Sequence, residues 1–251
     1  MKRAKKHLKS SRNSGGATPS ENAFWLWGTH AVMAALQNPA RQCVKLYASK
    51  NAAASLPKSI SAIPASASEI SSLLPEGAVH QGLALQTRPL PPAMLEDIMD
   101  RPHGVLLMLD GVTDPRNIGA IFRSAAAFGA LGIIAQERHM PPLSGVLAKA
   151  ATGALETVAN YGVVNLSRTL EDLAKAGWFS IGLAGETRTT IGQALNGANK
   201  VCLVLGSEGK GLRPNVAKHC DQLARIPISK DMESLNVSTA AAIALYEAKR
   251  G

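Results

Sequence analysis

Residues 109–130 read LDGVTDPRNIGAIFRSAAAFGA, and the way this stretch is parsed decides the fold. It overlaps GVLLML (104–109), an uninterrupted apolar run of the kind expected for a strand buried on both faces. Asp114-Pro115 marks a turn, and Asn117 is a natural N-cap for a helix starting near Ile118. Beyond it Ile118, Ile121, Phe122 and Ala125 recur at the spacing of one buried helical face. The unit is therefore strand, tight loop, helix. Arg123 lies off the apolar stripe, with Gly119 one turn before it on the same face. A glycine there is expected to leave bare backbone, and room for a phosphate or ribose beside the guanidinium. The alternative is a capping Asn, a packing Gly and a solvated Arg.

The same alternation continues downstream. LGIIAQ (131–136), WFSIGLAG (178–185), KVCLVLG (200–206) and LARIPI (223–228) read as strands. LSGVLAKA (143–150), RTLEDLAKAG (168–177), a short segment after Pro214 and a last stretch from Leu235 read as helices. Strands alternating with helices indicate an α/β domain built on a parallel sheet. Upstream, RPLPPAMLEDIMDRPHG (88–104) carries four prolines that interrupt regular structure, which makes it the best boundary in the chain. Before it a small α/β lobe is expected, with a helix near GTHAVMAALQN (28–38), a strand CVKLYAS (43–49), a helical NAAASL (51–56) and a strand GLALQT (82–87). The expected division is a flexible basic arm at 1–22, a lobe at 23–88, a linker at 89–103 and the main domain at 104–251.

Composition narrows the class. Hydrophobic residues make up 46% of the 251, enough for a full core, while aromatics are only 4%, so aliphatic side chains must fill it. The net charge is +9, and six of those charges (Lys2, Arg3, Lys5, Lys6, Lys9, Arg12) fall in the first 20 residues with no acid among them. A basic arm on a mildly basic body suits an anionic polymer such as nucleic acid. Cys43, Cys202 and Cys220 lack metal-type spacing and argue against a disulfide framework. No run approaches the roughly 20 apolar residues of a membrane span, and no apolar segment follows the N-terminal charges as in a secretory signal. A cytoplasmic protein is expected.

In open α/β sheets ligands sit beyond the carboxyl ends of strands, so the segments after the other strands matter. After KVCLVL comes GSEGKGL (206–212), where three glycines permit close backbone approach and Glu208 is held among them. It matches neither the phosphate-loop pattern nor the dinucleotide one, because the glycines stand at 206, 209 and 211. After LARIP comes ISKDMESLNVSTAAAIALYEAKR (228–250). Ser234 is a candidate cap there, Leu235 and Asn236 are expected to open the helix, and Asn236, if buried, needs hydrogen-bond partners for its whole amide.

Taken together, DPRNIGAIFRSAAAFGA (114–130), LVLGSEGKGL (203–212) and IPISKDMESLNVSTAAAIALYE (226–247) resemble, in order, the three motifs of the SpoU (TrmH-type) RNA ribose 2′-O-methyltransferases of the SPOUT superfamily. WGTHAVMAAL (27–36) and HQGLAL (80–85) resemble the ribosomal-protein-like RNA-binding lobe of the bacterial 23S rRNA guanosine 2′-O-methyltransferase subgroup. The resemblance implies a C-terminal trefoil knot, S-adenosylmethionine as methyl donor with S-adenosylhomocysteine as product, no metal, and a homodimer. It places Gly206, Ile226 and Leu235 at cofactor-contacting positions and Asn117, Arg123, Glu208, Ser234 and Asn236 in the active-site set. The implied reaction is in-line attack of a ribose 2′-oxygen on an already activated methyl group, so the enzyme's task is alignment and removal of the hydroxyl proton. The family's proposed base is Arg123. A guanidinium is effectively always protonated, so a phosphate clamp that stabilises developing alkoxide charge is the role expected here. Lys230 stands where many relatives have glycine. The rivals are a tRNA ribose methyltransferase, which commonly lacks the small lobe, and a non-catalytic RNA-binding assembly factor, against which the intact polar set argues.

Overall fold

The computed structural model describes residues 23–141, 144–229 and 231–250; the basic arm and Lys230 lie outside them. The small lobe contains β1 (Phe24–Trp27), α1 (Thr29–Gln37), β2 (Cys43–Ala48), α2 (Lys50–Ala53), β3 (Ile63–Pro64), α3 (Ala67–Ser72) and β4 (Leu83–Thr87). Its sheet runs β1-β4-β2-β3, with β4 antiparallel to both β1 and β2. β1, β3 and α3 were not anticipated, although α3 carries a sequence signature. Ser66 and Glu69 form a capping box, each side chain bonding to the other's backbone N–H.

The segment expected as a linker is only partly one. It contains α4 (Glu96–Met99), whose Ile98 is buried, and the Met99 carbonyl accepts from the Trp178 indole and from Lys200 Nζ. The chain continues through β5 (Gly104–Asp110), α5 (Pro115–Phe128), β6 (Gly132–Gln136), α6 (Gly145–Ala151), a 3₁₀ turn (Ala154–Glu156) and β7 (Ala159–Val163). Then follow α7 (Leu166–Lys175), β8 (Phe179–Leu183), α8 (Ile191–Ala194), β9 (Lys200–Gly206), α9 (Pro214–His219), β10 (Gln222–Ala224) and α10 (Val237–Arg250). Among the described residues the main body has six strands, all parallel, in the order β10-β8-β9-β5-β6-β7. β10 is shorter than LARIPI suggested, because the chain leaves the sheet before Pro227, which has no N–H for a ladder.

Burial explains the apolar runs. Along β5, Leu107 and Leu109 enter one core while Leu106 and Met108 enter a second. β9 divides the same way, Leu203 and Leu205 against Cys202 and Val204. The first core is covered by α5, α6, α8 and α10, the second by α4, α7 and α9. With both faces covered, a central strand gains nothing from polar alternation. Each large side chain so buried contributes about 1.5–3 kcal/mol. The first core also takes in Leu26, Val32, Leu46, Leu83 and Leu85 of the small lobe, so the two sheets share one apolar interior.

Candidate active site

β5 and β9 lie side by side, Asp110 opposite Gly206, so the segments that leave them emerge together at the carboxyl edge. The first does so differently from the sequence expectation. Asp114, not Asn117, caps α5: its side chain accepts from the Arg116 N–H at 2.7 Å, and Pro115 occupies the first helical position, where its missing N–H is harmless. Asn117 is thereby released from capping. It sits in the first turn with its amide turned outward, donating from Nδ2 to Glu208 Oε1 at 2.9 Å.

Glu208 belongs to a tight loop that closes on itself. Ser207 and Gly211 exchange backbone hydrogen bonds at 3.1 and 2.9 Å. A Cβ on Gly206 would stand 2.0 Å from the Gly211 carbonyl carbon, and Gly209 and Gly211 are left-handed at φ 77 and 64. Side chains are disfavoured at all three positions, which leaves Glu208 displayed at the tip.

The third segment arrives from β10. Asn236 Nδ2 donates to Glu208 Oε1 at 2.7 Å and to Asn117 Oδ1 at 3.0 Å. Its Oδ1 accepts from the Ser238 N–H at 2.9 Å, the Thr239 N–H at 3.3 Å and the Ser238 hydroxyl at 2.6 Å. Asn236 therefore caps α10, and the expectation that Ser234 does so is corrected. Asn236 is also exposed rather than buried; its full complement of partners comes from the cluster and the helix end, not from a core. Both amide protons and the oxygen are used, which fixes the orientation of the amide plane.

The remaining candidates are not drawn into this cluster. Arg123 is exposed and has no ion-pair partner among the described residues. Six residues at about 100° each put it on a different flank of α5 from Asn117. Gly119 does not front a ligand. It is buried, and a Cβ there would lie 2.5 Å from Ala150 Cβ, 2.6 Å from the Leu147 carbonyl oxygen and 3.1 Å from the Ala151 nitrogen. The bare backbone is occupied by α6. Ser234 is exposed, and Leu235, Gly206 and Ile226 are half-buried. Among the described residues, 226–228 and 233–235 make no backbone–backbone hydrogen bonds. Their C=O groups and, Pro227 apart, their N–H groups have no backbone partner among the described residues and can read a ligand that carries both donors and acceptors.

A second polar network was not anticipated. Asp110, buried at the end of β5, accepts from the Arg213 N–H at 2.8 Å and from Arg213 Nε at 2.5 Å. Arg213 Nη2 donates in turn to Gln136 Oε1 at 3.2 Å. The pair ties the exit of the Glu208 loop to the sheet edge. An acid closing an otherwise apolar strand was the available signal, since a buried carboxylate requires a partner.

Two of the cysteines are unsuited to nucleophilic chemistry. Burial pushes the Cys202 thiol upward, and burial with the nearby Asp221 and Asp110 charges pushes Cys220 up to about 12. Among the described residues no cluster of His, Cys, Asp and Glu could hold a metal ion, and no helix is long and apolar enough to cross a membrane.

Comparison with known proteins identifies the family. The profile of the SpoU rRNA Methylase family matches residues 104–246, and that of an RNA 2′-O ribose methyltransferase substrate-binding domain matches residues 25–93. A 23S rRNA (guanosine-2′-O-)-methyltransferase from Burkholderia is 40% identical over 240 residues, covering 90% of this chain and 95% of the relative. One from Pseudomonas syringae pv. tomato is 42% identical over 178 residues, covering 68% and 70%. The crystal structure of the SpoU methyltransferase AviRb from Streptomyces viridochromogenes, in complex with the cofactor AdoMet, superposes with a TM-score of 0.75. That match covers 91% of this chain and 90% of the other at 23% identity, and so speaks for the fold alone.

Proposed function

Because the chain belongs to the SpoU rRNA methylase family, we propose that it methylates a ribose 2′-hydroxyl of RNA with S-adenosylmethionine as donor, its target being a guanosine of 23S rRNA. The observation that carries this reading is the Asn117–Glu208–Asn236 cluster. Three segments separated in sequence meet through one carboxylate oxygen, beside backbone that has no backbone partner among the described residues, at the carboxyl edge of a parallel sheet. The curated relatives' names supply the nucleotide.

The residues present fit the donor. The unpartnered backbone at 226–228 and 233–235 suits an adenine edge, and the aliphatic side chains of Ile226 and Leu235, both half-buried, suit its faces. When bound, S-adenosylmethionine supplies a methyl group already activated as a sulfonium, so no metal is required. Asn117, Glu208 and Asn236 then hold the ribose and its surroundings in register, where positioning is the main source of rate. Arg123 clamps the RNA phosphate and stabilises negative charge developing on the 2′-oxygen. Its position on another flank of α5 from Asn117 supports a homodimer in which a second copy completes the site. The C-terminal trefoil knot and a cytoplasmic location belong to the same proposal.

The test is methyl transfer from labelled S-adenosylmethionine into undermodified total RNA, followed by mapping of the ribose-methylated nucleotide. Label at a guanosine of large-subunit rRNA is expected. Label confined to tRNA, or donor binding without transfer, would overturn the assignment. A pH–rate profile of Arg123→Lys addresses the role of the arginine: activity restored with a profile moved toward the lysine pKa would favour a base over a clamp.

A further inference from the structure

The sharing of one apolar core by both sheets raises the question of what fixes the small lobe on the main body. The sequence led us to expect a linker at 89–103, and residues 89–95 do run without regular structure. Side chains fix the lobe instead. Arg41, between α1 and β2, reaches the 3₁₀ turn of the main body and meets Glu156. Nη2 donates to Oε1 at 2.7 Å and Nε to Oε2 at 3.1 Å, a two-pronged ion pair whose side chains are 0% and 5% exposed. Arg41 Nη1 donates to the Arg88 carbonyl at 2.8 Å, and Asn38 Nδ2 donates to Glu156 Oε2 at 2.8 Å. Both charges are thereby nearly saturated.

Close packing adds further contacts. Gly145 opens α6, and a Cβ there would stand 1.8 Å from Trp27 Cζ3 and 2.4 Å from the Trp25 carbonyl oxygen. β1 thus rests directly on the α6 backbone. Gly153 faces Ala34 of α1 at 2.7 Å in the same sense. At the far end of α6, Lys149 Nζ donates to Gln81 Oε1 at 2.9 Å, and that oxygen also accepts from the Thr29 N–H at 3.1 Å. Gln81 holds a left-handed backbone, φ 54, to make this bridge. The opposite side of α6 takes α5 at Gly119. The lobe is therefore one helix away from the helix that bears Asn117 and Arg123.

A buried ion pair is a poor source of stability, because desolvation offsets most of the attraction. What a two-pronged guanidinium–carboxylate pair supplies is direction: both prongs form only at one relative orientation of the planar groups. We propose that Arg41 and Glu156 are positioning residues that lock the small lobe to the main body at one geometry, so that RNA held on the lobe presents one ribose to the Asn117–Glu208–Asn236 site. The inference rests on the methyltransferase reading for its consequence, but not for its mechanical content. A lobe tethered only by residues 89–95 would dilute the second set of RNA contacts; a locked lobe keeps them at a fixed effective concentration.

The test uses the full chain and the double variant R41M/E156M. Replacing a buried pair by apolar side chains of similar size is commonly tolerated or stabilising, so folding should survive even where Glu156→Gln or Arg41→Met alone does not. Spin labels at exposed Lys58 and Lys175, each changed to cysteine in a Cys43→Ser background, report the lobe–body distance by electron–electron resonance. In wild type a single narrow distribution is expected, and in the double variant a broad one. With a 23S rRNA fragment, KM should rise roughly tenfold or more, while kcat and the dissociation constant for S-adenosylmethionine change less than about twofold. A narrow distribution in the double variant, or a broad one in wild type, overturns the lock. A broadened distribution with unchanged KM overturns the positioning role. If wild type transfers no methyl group to any RNA, the functional reading fails instead, and the distance measurement still decides the lock.

Discussion

Replacing Gly119 by alanine should destabilise the protein even though it removes a glycine from the interior of a helix. Helical propensity alone favours the substitution by about 0.8–1 kcal/mol. Against it stands the contact with α6, where the new Cβ would lie 2.5 Å from Ala150 Cβ and 2.6 Å from the Leu147 carbonyl oxygen. Carbon atoms rest at about 3.5–4.0 Å, so the helices must part by roughly an ångström. The Leu147 oxygen and Ala151 nitrogen are backbone atoms and cannot rotate aside. Overpacking of this kind costs about 1–3 kcal/mol, and rigid obstacles put the cost in the upper half of that range. A net loss of about 1–2 kcal/mol follows, or roughly 2–8 °C in Tm for a chain of this length. Urea denaturation measures it as a lower midpoint at unchanged slope, and Ala127→Gly on the exposed face of α5 calibrates the propensity term separately. A variant as stable as wild type that loses only methyl transfer would show that Gly119 fronts a ligand, and the packing argument would be wrong.

Asn236→Asp should separate the two duties of that residue. The new carboxylate still caps α10, so stability changes by less than about 1 kcal/mol, but it faces the Glu208 carboxylate where a 2.7 Å hydrogen bond stood, and turnover should fall by roughly a hundredfold; full activity would dissociate the cluster from function. Arg213→Ala removes the side-chain partner of buried Asp110 and should cost about 1.5–3 kcal/mol, measured by urea denaturation, together with weaker donor binding as the Glu208 loop loosens; unchanged stability would mean that water replaces the guanidinium at no cost. Ellman's reagent at pH 8 should modify Cys43 alone in the native protein, and slowly. The residue is exposed, yet partial burial of its thiol raises the pKa and outweighs the Arg41 charge that lowers it, and the Glu156 charge adds a smaller rise. Cys202 and Cys220 should react only on unfolding; early modification of either would contradict the burial of Cys202 in β9 and the raised pKa of the half-buried Cys220 just past α9.

Periodicity located what periodicity controls. The stripe Ile118, Ile121, Phe122 and Ala125 is wholly buried, and GVLLML divides between two cores as a doubly covered strand must. The elements that escaped notice are those whose pattern is local and short. ANYGV, which forms the edge strand β7, has a glycine and an asparagine and little apolar run to advertise it. α3 and α8 are short helices set by capping boxes, Ser66 with Glu69 and Thr190 with Gln193, a four-residue signature visible in the sequence but easily passed over between stronger signals. The family was legible because three motifs in order are far more specific than any one of them.

What the sequence left open or misassigned at the site shares a different cause. Whether Gly119 meets a ligand or a helix depends on α6, some thirty residues downstream, and nothing within α5 encodes that choice. Once Gly119 is assigned to packing and Asp114 to capping, Asn117 has only one direction left in which to satisfy its amide, toward Glu208 and Asn236. Packing on one flank of α5 and capping at its end thus prepare the polar cluster on another. The same helix that closes the core delivers the site, so a change that disturbs the α5–α6 contact should reach Asn117 before it unfolds the protein. That ordering explains why a glycine with no ligand contact can stand in the middle of a functional motif.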